Sequence, residues 1–137
     1  MNQVIYLDNA ATTRTRPEVV EAMVPYFSEH YGNPSSVYEF STPSKQVIAK
    51  TREIIGKSLG ARPNEIYFTA GGTESDNWAI KAVAEAYETK GRHIITSKIE
   101  HHAVLHTCEY LEKKRGFEVT YLDVDENGTV KIEELKK

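Results

Sequence analysis

Short apolar runs alternate with longer amphipathic segments along this chain, and that alternation is typical of an α/β fold. In the amphipathic segments, apolar residues recur every three to four positions, as they do on one face of a helix. These segments predict helices that begin near residues 17, 42, 74 and 101, and a further one near 132. The apolar runs predict four strands, at residues 4–7, 66–68, 93–96 and 118–122.

Proline and glycine residues mark where the predicted helices begin, bend and end. Pro17 suits the first turn of a helix, and Pro25 lies inside the same pattern, where we expect a kink. Thr42 is the predicted cap of the next helix. Gly60 and Gly116 follow the last periodic residues of two helices, so they are the predicted helix ends.

Composition and charge narrow the class of protein. The net charge of −3, with 39% hydrophobic and 27% charged residues, suits a packed core and argues against nucleic-acid or membrane partners. No apolar run approaches the roughly 20 residues that span a bilayer. The first residues do not have the pattern of a signal peptide. The single cysteine, Cys108, allows no internal disulfide, and we expect a cytoplasmic protein.

The last residues suggest that the chain is part of a longer one. A turn is predicted at residues 125–128, and Ile132 begins a helical pattern that reaches residue 137 without a stop signal. We therefore expect residues 1–137 to form a single incomplete domain.

The segment around Gly71, Gly72 and Thr73 carries the strongest chemical signal. It joins a predicted strand to a predicted helix, and the first N–H groups of a helix attract anions. Glycines let the backbone approach a ligand closely, and the Thr73 hydroxyl adds a hydrogen-bond donor. The segment therefore predicts a phosphate-binding site. A simple turn explains the same residues, with Thr73 as a helix cap at capping-box spacing from Asp76. The P-loop and the Rossmann glycine pattern are both absent.

A histidine cluster follows the third predicted strand. Ligands of open α/β sheets bind beyond the carboxyl ends of strands, so this cluster and the glycine segment are predicted to face one crevice. A flat imidazole in this place is able to stack on a flat heteroaromatic ring and to carry a proton. His102, His106 and Glu109 have helical spacing that would suit a metal, but the His-Glu-x-x-His order is missing. We interpret His102 and His106 as solvated residues and predict no metal.

Four sequence blocks resemble those of the NifS/IscS-type cysteine desulfurases. They occur in the family's order and cover the whole chain. The blocks are YLDNAATT at residues 6–13, GNPSS at 32–36, FTAGGTESDN at 68–77 and EHHAV at 100–104.

This resemblance implies a fold-type I enzyme of the class V aminotransferase group that depends on pyridoxal 5′-phosphate. The chain would supply an N-terminal segment and the first part of the large cofactor-binding domain. Gly72 and Thr73 would hold the cofactor phosphate, and the catalytic His101 would stack on its ring. The enzyme would convert L-cysteine to L-alanine and pass the sulfur, through an enzyme persulfide, to an iron–sulfur scaffold or another acceptor protein. A homodimer is implied for the full-length protein.

The chain also departs from the family's pattern. Tyr38 and Ser41 replace a frequent histidine and glycine, which affects the subgroup assignment rather than the cofactor site. No lysine has the family's Schiff-base context, so we expect no cysteine turnover by residues 1–137 alone. Lys98 is interpreted as a solvated residue and Cys108 as a small buried side chain. Selenocysteine lyase, a small-molecule aminotransferase and a short non-catalytic anion- or partner-binding protein remain as alternatives.

Overall fold

The computed structural model describes residues 4–136, and these form two compact units, with the boundary along the chain between Tyr67 and Phe68. The residues considered for a signal peptide include Met1–Gln3, and the last predicted helical pattern includes Lys137. Both places lie outside the described residues.

The first unit is helical. Helix α1 spans Pro17–Met23 and helix α2 spans Pro25–Ser28, with Val24 as the junction between them. The kink predicted at Pro25 is thus a break into two helices, because proline has no N–H to donate to the preceding turn. Short 3₁₀ turns at Glu39–Ser41 and Pro63–Glu65 flank the longer helix that follows.

Helix α3 spans Thr42–Leu59. Its predicted end is confirmed, since Gly60 adopts the left-handed conformation with φ 68°. Its predicted cap is wrong by one residue, because Ser41 occupies the cap position and Thr42 is already helical. The preceding 3₁₀ turn brings the chain into Ser41 with helical dihedral angles, so no side chain caps this helix.

Two predicted strands do not form. Residues 4–7 and 66–68 have irregular structure, although their sequences suit strands. A strand forms by pairing with another strand along its length, and neither segment is paired with a strand in the described chain. The carbonyl of Ile66 instead accepts a hydrogen bond from the Arg52 guanidinium Nε at 3.1 Å.

The second unit contains the parallel sheet. Strand β1 spans His93–Ser97 and strand β2 spans Glu118–Leu122, and the two pair in parallel from His93 opposite Glu118 to Ser97 opposite Leu122. Both strands were predicted. Helix α4 spans Gly72–Tyr87, and helix α5, which connects the strands, spans His102–Arg115 and ends as predicted at Gly116, with φ 69°.

A small core holds α4 and α5 together. Ala84 of α4, Leu111 of α5 and Phe117 are buried, and Ile80 and Ile94 pack against them. Burial of these apolar side chains fixes the two helices against each other and against β1. Each helix therefore has a defined face toward the other, and the candidate site lies along that contact.

The end of the described chain is a turn followed by a short helix. Gly128 has φ 80° and donates its N–H to the carbonyl of Asp125 at 3.0 Å, which confirms the predicted turn. Helix α6 spans Ile132–Leu135. Across residues 4–136, none of the helices has the length and apolar character needed to cross a membrane.

Candidate functional site

A groove of about 340 Å³ lies in the second unit between α4 and α5, and it extends from the starts of the two helices to Lys81 and Tyr110. The sequence predicted that the glycine segment and the histidine cluster would face one crevice, and the groove brings Thr73 and His101 together. Gly72 precedes Thr73 at the first position of α4 and is not among the lining residues. The groove is lined by Thr73, Asn77, Lys81, His101, His102, Ala103, His106, Thr107 and Tyr110.

The N-terminus of α4 has unused hydrogen-bond donors. Gly71 is its cap residue and has no side chain to accept from the first turn. Within residues 4–136, the backbone N–H groups of Gly72 and Thr73 have no acceptor. A Cβ atom added at Gly71 or Gly72 would meet nothing within 4 Å, so the space in front of this helix end is open. These donors and the helix dipole suit a bound anion.

The capping box predicted between Thr73 and Asp76 is wrong, because Gly71 is the cap residue of α4 and Thr73 is already its second helical residue. The carboxylate of Glu74 instead accepts the N–H of Ala70 at 2.5 Å. The hydroxyls of Thr69 and Ser75 lie 2.7 Å apart and share a hydrogen bond. These contacts shape the turn before α4 without using the donors of Gly72 and Thr73.

His101 is the cap residue of α5 rather than its first helical residue. Its Nδ1 accepts the backbone N–H of Ala103 at 3.1 Å, which satisfies one free donor of the helix start. The side chain is otherwise exposed. With Nδ1 occupied, Nε2 is the ring nitrogen that remains available at the groove.

His102 and His106 are exposed, as their solvated interpretation required, but they also line the groove. Their rings stack with centroids 5.1 Å apart and planes 12° from parallel. The nearest oxygen of Glu109 is 3.9 Å from Nδ1 of His106. Among the residues that the structure describes, no group of three or more histidine, cysteine or acidic side chains is arranged to hold a metal ion.

Asn77 and Lys81 are groove residues that the sequence analysis did not single out. The Asn77 amide nitrogen donates to the carbonyls of Thr73 at 3.0 Å and Ala103 at 3.4 Å. Its amide oxygen accepts from Lys81 Nζ at 2.8 Å, and that ammonium lies 5.1 Å from the centroid of the Tyr110 ring. The missed signal was spacing, since Thr73, Asn77 and Lys81 follow one another at intervals of four and share a helix face.

Lys98 and Cys108 have defined environments outside the groove. Lys98 is exposed, which confirms its interpretation as a solvated residue, and its Nζ lies 2.7 Å from the carboxylate of Asp123. The hydrogen bond from Lys98 lowers the pKa of Asp123. Cys108 is 1% exposed, which confirms its interpretation as a buried side chain. Burial raises the pKa of its thiol, and the charges of Glu100 and Glu112 raise it further.

Proteins of similar sequence are cysteine desulfurases. The chain is 57% identical over 136 residues to cysteine desulfurase IscS of Clostridium botulinum, a match that covers 99% of this chain and 34% of that protein. It is 61% identical over 135 residues to cysteine desulfurase IscS of Methanosarcina thermophila, covering 98% of this chain and 33% of that protein. The chain therefore spans about a third of the length of these relatives.

Solved structures support the same relationship. A NifS-like protein matches with a TM-score of 0.90 and 47% identity, over 96% of this chain and 36% of its own. SspA in complex with cysteine matches with a TM-score of 0.87 and 41% identity, over 96% of this chain and 38% of its own. These matches confirm the predicted α/β fold and the resemblance to cysteine desulfurases. The model of the class-V aminotransferases matches residues 5–137, and the chain belongs to that family.

Proposed function

We propose that this chain is part of a pyridoxal-phosphate-dependent cysteine desulfurase and supplies the residues that hold the cofactor's phosphate and one face of its ring. The observation that carries the proposal is the groove shared by Thr73, at the start of α4, and His101, at the cap of α5. An anion site and an exposed flat imidazole together suit a phosphorylated heteroaromatic ring.

The residues at the start of α4 fit a phosphate. The N–H groups of Gly72 and Thr73 lack acceptors among the described residues, and the space before them is open. With the Thr73 hydroxyl they would donate to phosphate oxygens, and the dipole of a 16-residue helix favours the negative charge. The groove volume of about 340 Å³ lies in the range of small-molecule sites.

His101 fits the ring. The hydrogen bond from Ala103 to Nδ1 restrains the rotation of the imidazole. A restrained ring can lie flat against a heteroaromatic plane, while Nε2 remains free to hold or donate a proton. When bound, pyridoxal phosphate supplies an electron sink for a developing carbanion, and the protein's part is position and charge. His101 is therefore proposed as both a cofactor-binding and a catalytic residue.

The reaction proposed for the native protein follows from its relatives. L-cysteine would lose its sulfur to a cysteine thiol of the enzyme, which forms a persulfide, and L-alanine would be released. Cys108 does not suit that role, because it is buried and the pKa of its thiol is raised. An iron–sulfur scaffold or another thiol acceptor would receive the sulfur, in the cytoplasm and from a homodimer. Residues 1–137 would be the N-terminal segment and the first part of the large domain.

The test uses the native protein that carries this chain. Purified protein is titrated with pyridoxal phosphate, and alanine release from L-cysteine is measured. We expect saturable binding and alanine formation, and Thr73→Val should weaken binding by about three- to tenfold through loss of one donor. Thr51→Val is the matched control, because the Thr51 hydroxyl bonds to Val47 within α3. No cofactor binding by the wild-type protein, or equal affinity of the Thr73→Val variant, would contradict the proposal.

A further inference from the structure

We propose that Asn77 is a positioning residue that sets the separation between the phosphate-binding end of α4 and His101. The inference rests on the proposed function, since it concerns the same groove. Asn77 is partly buried and lies where the two helices meet. Asn77 acts through the backbone carbonyls of Thr73 and Ala103, which lie on opposite sides of the groove. Thr73 is itself a proposed cofactor ligand.

The amide of Asn77 spans the two helices. One N–H donates to the carbonyl of Thr73, one turn earlier in α4, at 3.0 Å. The other donates across the contact to the carbonyl of Ala103 in α5, at the longer distance of 3.4 Å. Ala103 in turn donates its own N–H to Nδ1 of His101. A continuous series of hydrogen bonds therefore joins Thr73 to the imidazole through Asn77.

The orientation of this amide is set by its neighbours. If the amide were turned over, its oxygen would face the carbonyl oxygens of Thr73 and Ala103, and its nitrogen would face the ammonium of Lys81. All three contacts would then place two acceptors or two donors against each other. Lys81 Nζ, at 2.8 Å from the amide oxygen, reinforces the observed orientation. Asn77 thus presents both donors in fixed directions, as a spacer between two helices requires.

A second link between the same helices provides a control. Arg115 of α5 forms an ion pair with Glu85 of α4 at 3.0 Å. Glu85 lies eight residues beyond Asn77, which is about 12 Å along the helix, and it does not line the groove. Its removal weakens the contact between α4 and α5 without touching the proposed site.

The test compares Asn77→Ala with Glu85→Ala in the native protein. If Asn77 positions the site, Asn77→Ala should weaken pyridoxal phosphate binding by about three- to tenfold and change the visible circular dichroism of the bound cofactor. Glu85→Ala should leave both within about twofold of wild type, whatever its effect on thermal stability. Asn77→Ser should resemble Asn77→Ala, because a serine hydroxyl reaches the carbonyl of its own helix but not Ala103.

A double mutant separates positioning from general stability. In a His101→Ala background the ring is gone, so adding Asn77→Ala should cause less further loss of affinity than it does in wild type. Unchanged affinity and dichroism in both Asn77 variants would overturn the inference, as would full additivity with His101→Ala. Wild-type protein that fails to bind pyridoxal phosphate would overturn the proposed function and this inference together. Binding by wild-type protein with the same affinity in the Asn77 variants would overturn the inference alone.

Discussion

Two substitutions of His101 separate its role as a helix cap from its proposed role against the cofactor ring. His101→Ala removes both the ring and the acceptor for the Ala103 N–H. His101→Asn removes the ring but keeps a good acceptor, because asparagine is among the best N-cap residues and reaches the second or third N–H of the helix. Ala103 is the second residue of α5, so the geometry suits asparagine.

The expected magnitudes follow from these contacts. Loss of a cap costs about 0.5–2 kcal/mol, and the 3.1 Å bond from Ala103 at an exposed helix start suggests about 1 kcal/mol for His101→Ala. His101→Asn should keep nearly all of that stability. Loss of an aromatic contact costs about 1 kcal/mol, which is about a fivefold change in a dissociation constant. Both variants should therefore lose cofactor affinity to the same extent.

The assay has two parts, a denaturant unfolding curve for the apoprotein and a cofactor titration for the same sample. The account requires unequal unfolding free energies and equal losses of affinity. If His101→Asn bound pyridoxal phosphate as tightly as wild type, the ring would have no role in binding and only the cap would matter. If His101→Ala were as stable as wild type, the capping argument would be wrong.

Further predictions concern regions outside the groove. Cys108 should react with a thiol reagent at least about a hundredfold more slowly in native than in denatured protein; equal rates would contradict its burial. Gly32→Ala should lower the free energy of unfolding by about 1–3 kcal/mol, because the added Cβ would lie 2.8 Å from a backbone atom of Ser41. Gly91→Ala is the control in thermal melts, because a Cβ at Gly91 would meet nothing within 4 Å. The pKa of Asp123 is lowered, so its pairing with Lys98 stabilises the fold above about pH 4 and this stabilisation is lost on further acidification. In Lys98→Met, the melting temperature should therefore fall less steeply as the pH is lowered below about 4.

Local signals predicted the helices and the paired strands of the second unit. Gly60 and Gly116 ended helices as expected, because the left-handed conformation at a helix end is a local property that glycine satisfies at low cost. Strands β1 and β2 were also found. The segments at 4–7 and 66–68 have equally suitable residues but no neighbouring strand in the described chain. Strand formation depends on such a partner, which a local pattern does not reveal.

The same distinction applies to the candidate site. The glycine segment and the histidine cluster were found because each has a recognisable local pattern at the start of a helix. Asn77 and Lys81 were missed, although they share a face with Thr73, because the sequence does not show which face of α4 meets α5. That choice depends on the burial of Ala84 in α4 against Leu111 in α5, two residues that are far apart in sequence.

The most direct measurement is a crystal structure of the native protein with pyridoxal phosphate bound. The account predicts phosphate oxygens within about 2.7–3.2 Å of the backbone nitrogens of Gly72 and Thr73. It also predicts that the His101 imidazole lies parallel to the pyridine ring while Nδ1 still accepts from Ala103. A phosphate held by other residues, with His101 turned away from the ring, would contradict the account.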